Sequence, residues 1–398
     1  MKHTIILLII LLGPIVSSAQ MDTLIVFDIS NETMEVIPIG PFDTLKISDY
    51  VSGNIGQWEN HEQLDLNLPT NLPPGTSFSE LSLAKNHFDL LNYPIRTNVA
   101  IVWSDSIYEQ YASCSGTLVA NNIVLTAAHC IGYHYVDGEF VWKLNRYVSP
   151  SHSDGFPQPN IGKIKIDKYV ILKKYYDQEI YDVRYDFGLL VLEEPIGEQI
   201  GWLGYGYNYD SVFYTNPIFY SFSYPSIPEY DGLDMYSYFG NFNYIDIEFG
   251  RVRHGVTGAN GMSGSSFFYT NNEISISYGL QTHSARYRLN RRENFYAIKK
   301  IDDLYNVGIS ENNYSKSFIK VYPNPMTNYS NIEIANPDLH NENLTFILYD
   351  LYGNECKSIS KIKDGLLQLK RDNLKSGLYF FIIQSELEMV GNGKIMIK

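Results

Sequence analysis

Short apolar runs, each cut off by Gly, Asn, Asp or Pro, recur through most of this 398-residue chain. Asn98-Val-Ala-Ile-Val-Trp, Ile123-Val-Leu-Thr, Phe187-Gly-Leu-Leu-Val-Leu and Ile274-Ser-Ile-Ser-Tyr-Gly-Leu are examples. This spacing predicts an all-β barrel or sandwich across residues 89–306. The 33 tyrosines lean the same way. One stretch breaks the pattern. Phe295-Tyr-Ala-Ile-Lys-Lys-Ile-Asp-Asp-Leu-Tyr has apolar residues at helical spacing and reads as a single closing helix.

The length exceeds one ordinary domain and predicts two folded units plus processing segments. With 44% hydrophobic and 19% charged residues, a core is available and wholesale disorder is excluded. A net charge of −14 argues against nonspecific binding to nucleic acid or anionic membrane. Residues 1–19 read as a secretory signal peptide, with an apolar Ile5–Leu12 run and a small-residue Ser17-Ser18-Ala19 site. A membrane anchor is the rival reading, but the run is short and broken at Gly13-Pro14. The mature protein is therefore expected not to span a membrane. Export makes disulfides permissible, and three cysteines (Cys114, Cys130, Cys356) allow at most one intramolecular bond.

Residues 20–88 form a β-leaning, turn-rich segment, with short strands expected at Thr23-Leu-Ile-Val-Phe-Asp and Glu35-Val-Ile-Pro-Ile. A propeptide and an extension wrapped on the next domain both fit. Residues 307–318 are a polar linker, and residues 319–398 alternate like a small β-sandwich.

Three motifs carry chemistry. The first is Thr126-Ala-Ala-His129-Cys130, preceded by Cys114-Ser-Gly-Thr-Leu-Val. A histidine is the usual general base near neutral pH. The second is Tyr185-Asp186 before a continuous apolar strand. A buried carboxylate there would accept from the imidazole Nδ1–H. Asp182 competes, but only Asp186 directly precedes the strand. The third is Thr257-Gly-Ala-Asn-Gly-Met-Ser263-Gly-Ser-Ser, where glycines permit a tight turn with converging backbone N–H groups.

Together these motifs resemble the chymotrypsin-like serine peptidases, over roughly residues 90–306. The resemblance implies a two-barrel fold, a Cys114–Cys130 disulfide, and a catalytic triad of His129, Asp186 and Ser263. It also implies an oxyanion hole from the Gly261 and Ser263 amides, a peptide or protein substrate, and no cofactor or metal. Met262 stands where pancreatic-type members carry an activation-switch Asp. Gly-Met-Ser-Gly-Ser, and Tyr224-Pro225 followed by Asp234-Met-Tyr-Ser-Tyr-Phe-Gly, are instead similar to the bacterial glutamyl endopeptidases.

In that branch a histidine meets the substrate carboxylate. Alignment puts Gln281 there, with Thr282 next and His283 two residues on, expected on the same face. Thr257 takes the pocket-base position, which disfavours cleavage after Lys or Arg. Arg251, Arg253, His254, Arg286, Arg288, Arg291 and Arg292 lie around these motifs. They are read either as a carboxylate-binding edge or as solvated loop charge. No ligand cluster with clear calcium spacing is visible.

The tail motifs Val321-Tyr-Pro-Asn-Pro325, Leu348-Tyr-Asp-Leu-Tyr-Gly353, Ser376-Gly-Leu-Tyr-Phe and Lys394-Ile-Met-Ile-Lys398 resemble the sorting domain of type IX secretion. That implies engagement of the secretion machinery, and an Ig-like binding module is the bland alternative. Two other function classes fit the motifs less well. A noncatalytic protease homologue usually loses a triad member, and none is lost. An esterase elbow needs Gly-x-Ser-x-Gly, and here the final glycine is Ser265.

Overall fold

A computed structural model describes residues 22–40, 46–58, 78–103, 111–134, 138–178, 181–227, 229–242, 244–253, 258–271, 274–283, 286–306, 319–334, 344–350, 354–362, 366–384 and 389–398. The expected signal peptide and the 307–318 linker lie outside these residues. The chain forms two units, divided between Tyr305 and Asn306.

The apolar runs become strands as their alternation and β-branched content dictate. In the first unit, six strands close on themselves. They are Arg146–Pro150, Asn98–Trp103, Ala112–Ala120, Ile123–Thr126, Gly188–Leu192 and Ile164–Leu172, the last pairing back with the first. Their interior is packed with Val99, Leu118, Val124, Leu125, Val148, Val170, Leu189 and Leu190.

A hairpin from the N-terminal extension widens this barrel. Thr23–Asp28 pairs antiparallel with Ile164–Leu172, and Thr33–Pro38 pairs with Thr23–Asp28. Leu24, Ile25, Val26 and Phe27 are all buried, so this strand is core on both faces. Phe27 stacks on Trp142 with ring centroids 4.6 Å apart.

A second sheet of ten strands holds Ser266–Asn271, Ile274–His283 and Arg286–Leu289 at its centre. The extension reaches this sheet too, because Ser48–Val51 pairs with Gly204–Asn208. The core here is aromatic: Phe219, Phe242, Phe267, Tyr278 and Tyr287. Edge-to-face contacts such as Phe267–Tyr287 at 4.9 Å explain why so many tyrosines are inside. The closing helix spans Arg292–Tyr305, three residues earlier than its apolar periodicity begins. It lays Phe295, Ala297, Ile298 and Ile301 on the first barrel's core.

The second unit is two facing sheets. One holds Ile319–Tyr322, Tyr329–Ile334 and Leu366–Lys370; the other holds Glu355–Ile362, Leu344–Tyr349, Gly377–Gln384 and Met389–Ile397. Ile332, Leu369, Phe346, Phe381, Ile383 and Ile395 share one core between them.

Candidate active site

The buried strand Ile123–Thr126 runs into a single helical turn, Ala128–Ile131, that carries His129. The turn is fixed from several sides. Cys130 is disulfide-bonded to Cys114 on the neighbouring strand. Thr126 Oγ1 donates to Ser115 O at 2.8 Å, and Lys143 Nζ donates to His129 O at 2.7 Å. Gly188 packs so closely below that a Cβ would come 2.4 Å from Ile131 Cδ1. His129 and the two sulfurs lie within 4.8 Å of one another, a ligand-like cluster. The disulfide consumes both sulfurs, so no thiolate remains there to bind a metal.

Asp186 ends the turn Val183–Tyr185 and directly precedes the buried strand Gly188–Leu192. Its carboxylate is 0% exposed, whereas the His129 side chain is 28% exposed. Asp186 Oδ2 accepts from His129 Nδ1 at 2.7 Å, and Oδ1 accepts from the His129 backbone N–H at 2.9 Å. A carboxylate acceptor assigns the Nδ1 proton and leaves Nε2 as the free base. A third donor was not anticipated from sequence: Tyr181 OH donates to Oδ2 at 2.7 Å. Burial pushes the Asp186 carboxyl up, but the His129 charge and these bonds outweigh it and hold it below the usual range. Asp182 does other work. It accepts from Arg184 N at 2.9 Å and pairs with the Arg184 guanidinium at 2.6 Å.

The Ser263 loop depends on two left-handed glycines. Gly261 has φ 85°, and a Cβ there would lie 2.1 Å from Tyr224 O. Gly264 has φ 88°, and its Cβ would lie 2.2 Å from Ser115 O and from Thr126 Oγ1. Neither position admits a side chain. Ser115 ties the loop to the first barrel: its Oγ donates to Gly261 O and its N–H to Ser263 O, each at 2.7 Å. Met262 is buried among the aromatic residues of the second core. The Met262 and Gly264 amides donate to Ala259 O and Gln281 O. Those of Gly261 and Ser263 donate to no group among the described residues, which leaves two donors for an oxyanion. Cys130 Sγ lies 3.6 Å from Ser263 O and 3.9 Å from His129 Nε2, so serine backbone and imidazole adjoin the same sulfur. No hydrogen bond joins Ser263 Oγ to His129 Nε2 among the described residues. Such bonds often tighten only with substrate bound.

The specificity candidates fare unevenly. Thr257 and His254 lie outside the described residues. Gln281 is buried, and its Oε1 accepts from Tyr238 OH at 2.8 Å. Thr282 is buried with no partner for Oγ1 among the described residues. His283 closes its strand, and its side chain lies outside the described set. The ladder shifts register between Gln281 and His283, so simple alternation does not relate them.

The arginine group divides by partner. Arg251 pairs with Asp246 at 3.1 Å, Arg291 approaches Glu293 at 3.8 Å, and Arg292 stacks over Tyr209 at 5.3 Å. Arg288 is interior: it lies over Phe187 at 5.5 Å and donates to Asn294 Oδ1 at 3.0 Å. Neither a carboxylate-binding edge nor solvated loop charge describes it. Arg253 is over Tyr244 at 4.8 Å, and the Arg286 side chain lies outside the described residues.

Lys143 gives the turn a pH signature. Burial, with Arg146 nearby, holds its ammonium down to about 8 from an ordinary 10.5, while Asp186 opposes the drop. The folded state therefore sheds this proton first. Stability from this site is expected to rise as pH climbs from about 8 towards 10.5, and to be flat below. Melting temperature against pH should lose that slope in Lys143→Met.

The trypsin family's sequence profile matches residues 95–215, which hold His129 and Asp186. The chain carries a trypsin-family domain. Beyond this trypsin-like domain, residues 320–398 match the secretion system C-terminal sorting domain, which marks the chain for type IX export to the surface or medium. The chain is 35% identical over 120 residues to a glutamyl endopeptidase of Bacillus licheniformis, spanning 30% of this chain and 34% of that protein. It is 31% identical over 121 residues to serine protease 23 of Homo sapiens, spanning 27% of this chain and 29% of that one. The match thus spans about a third of these relatives' length. Among solved structures, a Glu endopeptidase in complex with MPD aligns with TM-score 0.46 and 17% identity, over 56% of this chain and 97% of that one. Among the described residues no helix is long and apolar enough to cross a membrane.

Proposed function

We propose that the chain is a secreted serine endopeptidase in which Ser263 is the nucleophile, His129 the general base and Asp186 the orienting carboxylate. The observation that carries this reading is the fully buried Asp186 carboxylate gripping His129 at Nδ1 and at the backbone N–H. Ser263 Oγ attacks the scissile carbonyl carbon while His129 Nε2 takes its proton. The Gly261 and Ser263 amides receive the oxyanion. The imidazolium then gives its proton to the leaving amine, and water cleaves the acyl-enzyme by the same relay.

We assign residues 89–306 to the protease domain and 319–398 to the sorting tail. Residues 20–88 are an extension that stays with the protease domain rather than a removable propeptide. Cleavage after Glu or Asp is the preferred specificity, supported by the likeness to the glutamyl endopeptidase. The arginines with described side chains have partners inside the fold, so they contribute little to it.

The experiment is labelling of the secreted protein by a fluorophosphonate, with Ser263→Ala as control, followed by peptide-library profiling. Labelling of wild type alone is the expected result. An unlabelled mature wild type would instead favour a noncatalytic homologue. A library dominated by large apolar residues before the cleaved bond would remove the acidic preference and leave the peptidase reading intact.

A further inference from the structure

Tyr181 lies five residues before Asp186, yet neither the triad nor the oxyanion donors involve it. The residue is 48% exposed, but its hydroxyl turns inward to Asp186 Oδ2 at 2.7 Å. A half-exposed tyrosine normally keeps its polar end in water. This one does the reverse, and the surrounding loop holds it so. Asp182 N donates to Gln178 Oε1 at 2.8 Å, and the Asp182 carboxylate caps Arg184 N, fixing the chain on the far side of Tyr181. The Tyr181 ring meets Tyr175 edge-on at 6.4 Å, and Tyr175 OH is anchored on Gly132 O at 3.3 Å.

We propose that Tyr181 is a positioning residue for the Asp186–His129 pair: its hydroxyl fixes the carboxylate's rotation and shares its charge. The inference rests on the peptidase reading above and adds a fourth member to that site. Without Tyr181, the Asp186 carboxylate is held, among the described residues, by His129 alone, through two bonds that come from one residue and move with it. With Tyr181, the carboxylate is also tied to its own loop, independently of the His129 turn. The hydroxyl also draws charge from Oδ2, so the carboxylate holds a protonated imidazole less tightly. Burial and the Asp186 charge push the phenol well above its ordinary value, so it remains a donor throughout the working range. The other ionisable groups facing this carboxylate are His129, Lys143 below the turn, Arg288 from the second sheet and Tyr175. None of these except His129 has a hydrogen bond to it.

The test is Tyr181→Phe in the full secreted chain, which keeps the ring packing and removes only the hydroxyl. Hydrogen bonds to charged groups are worth about 1.5–3 kcal/mol. The variant is therefore expected to lose about 10- to 100-fold in kcat, with KM changed less than about threefold. The acidic limb of the kcat–pH profile should move to higher pH, because the unshielded carboxylate stabilises the imidazolium. A proton NMR measurement gives a second readout independent of turnover: the downfield Nδ1–H resonance of His129 should shift in the variant. A merely structural tyrosine would lower the melting temperature and leave limb and resonance unmoved, and that result overturns the proposal. If wild type neither labels nor cleaves but the resonance shifts in Tyr181→Phe, the peptidase reading fails and the positioning role stands. If wild type cleaves and the variant matches it in kcat and resonance, only the positioning role fails.

Discussion

Ser263→Ala is expected to fold and melt like wild type while kcat falls about a millionfold, to the residue of activity left by binding and the oxyanion donors. The separation follows from how the loop is built. Its shape is set by Gly261 and Gly264, by the two bonds from Ser115, and by Met262 in the second core. The Ser263 hydroxyl takes part in none of these, so removing it should cost the fold little. Burst and steady-state assays on the best library peptide, beside a thermal melt, would decide it. Retained turnover with an unchanged melt would move the nucleophile to another residue. Lost turnover with a collapsed melt would mean that the hydroxyl matters to the loop.

The second large effect concerns stability. Deleting residues 20–58 is expected to abolish folding of the protease unit. Leu24, Ile25, Val26 and Phe27 are buried in the first barrel, and burying four such side chains contributes about 6–12 kcal/mol. Whole-domain stability is only about 5–15 kcal/mol. The second sheet loses the strand Ser48–Val51 at the same time. Arg96, itself buried, loses the acceptor Ile55 O at 2.6 Å, and Trp202 N loses Asn54 O at 2.7 Å. Far-UV circular dichroism and limited proteolysis of the truncated chain measure this, and N-terminal sequencing of the secreted form checks it independently. A stable, active species beginning after Trp58 would make the segment a propeptide after all.

What could be read without coordinates was local. Thr126-Ala-Ala-His129-Cys130 is one unbroken motif, and Asp186 announced itself through the apolar strand that follows it. Tyr181 is one of 33 tyrosines, and its bond to Asp186 depends on how a loop turns, which no spacing encodes. Glu355–Ile362 is illegible for a different reason: as a mostly exposed strand rich in Lys and Ser, it lacks the alternation that marks half-buried neighbours such as Leu344–Tyr349. Ser48–Val51 becomes a strand only by pairing with Gly204–Asn208, far away in sequence. The arginines show the limit from the charge side. Counting cations around the motifs could not reveal that Arg288 is interior or that Arg251 already has Asp246.

The Cys114–Cys130 bond has one more consequence. It closes beside the base itself, tying the His129 turn to the strand that also steers the nucleophile loop through Ser115. Thiols stay reduced in the cytosol and pair after export. A chain whose thiols are still reduced lacks this staple, and the two halves of the proposed active site are held only by weaker contacts. Oxidation on the far side of the membrane would complete the blade.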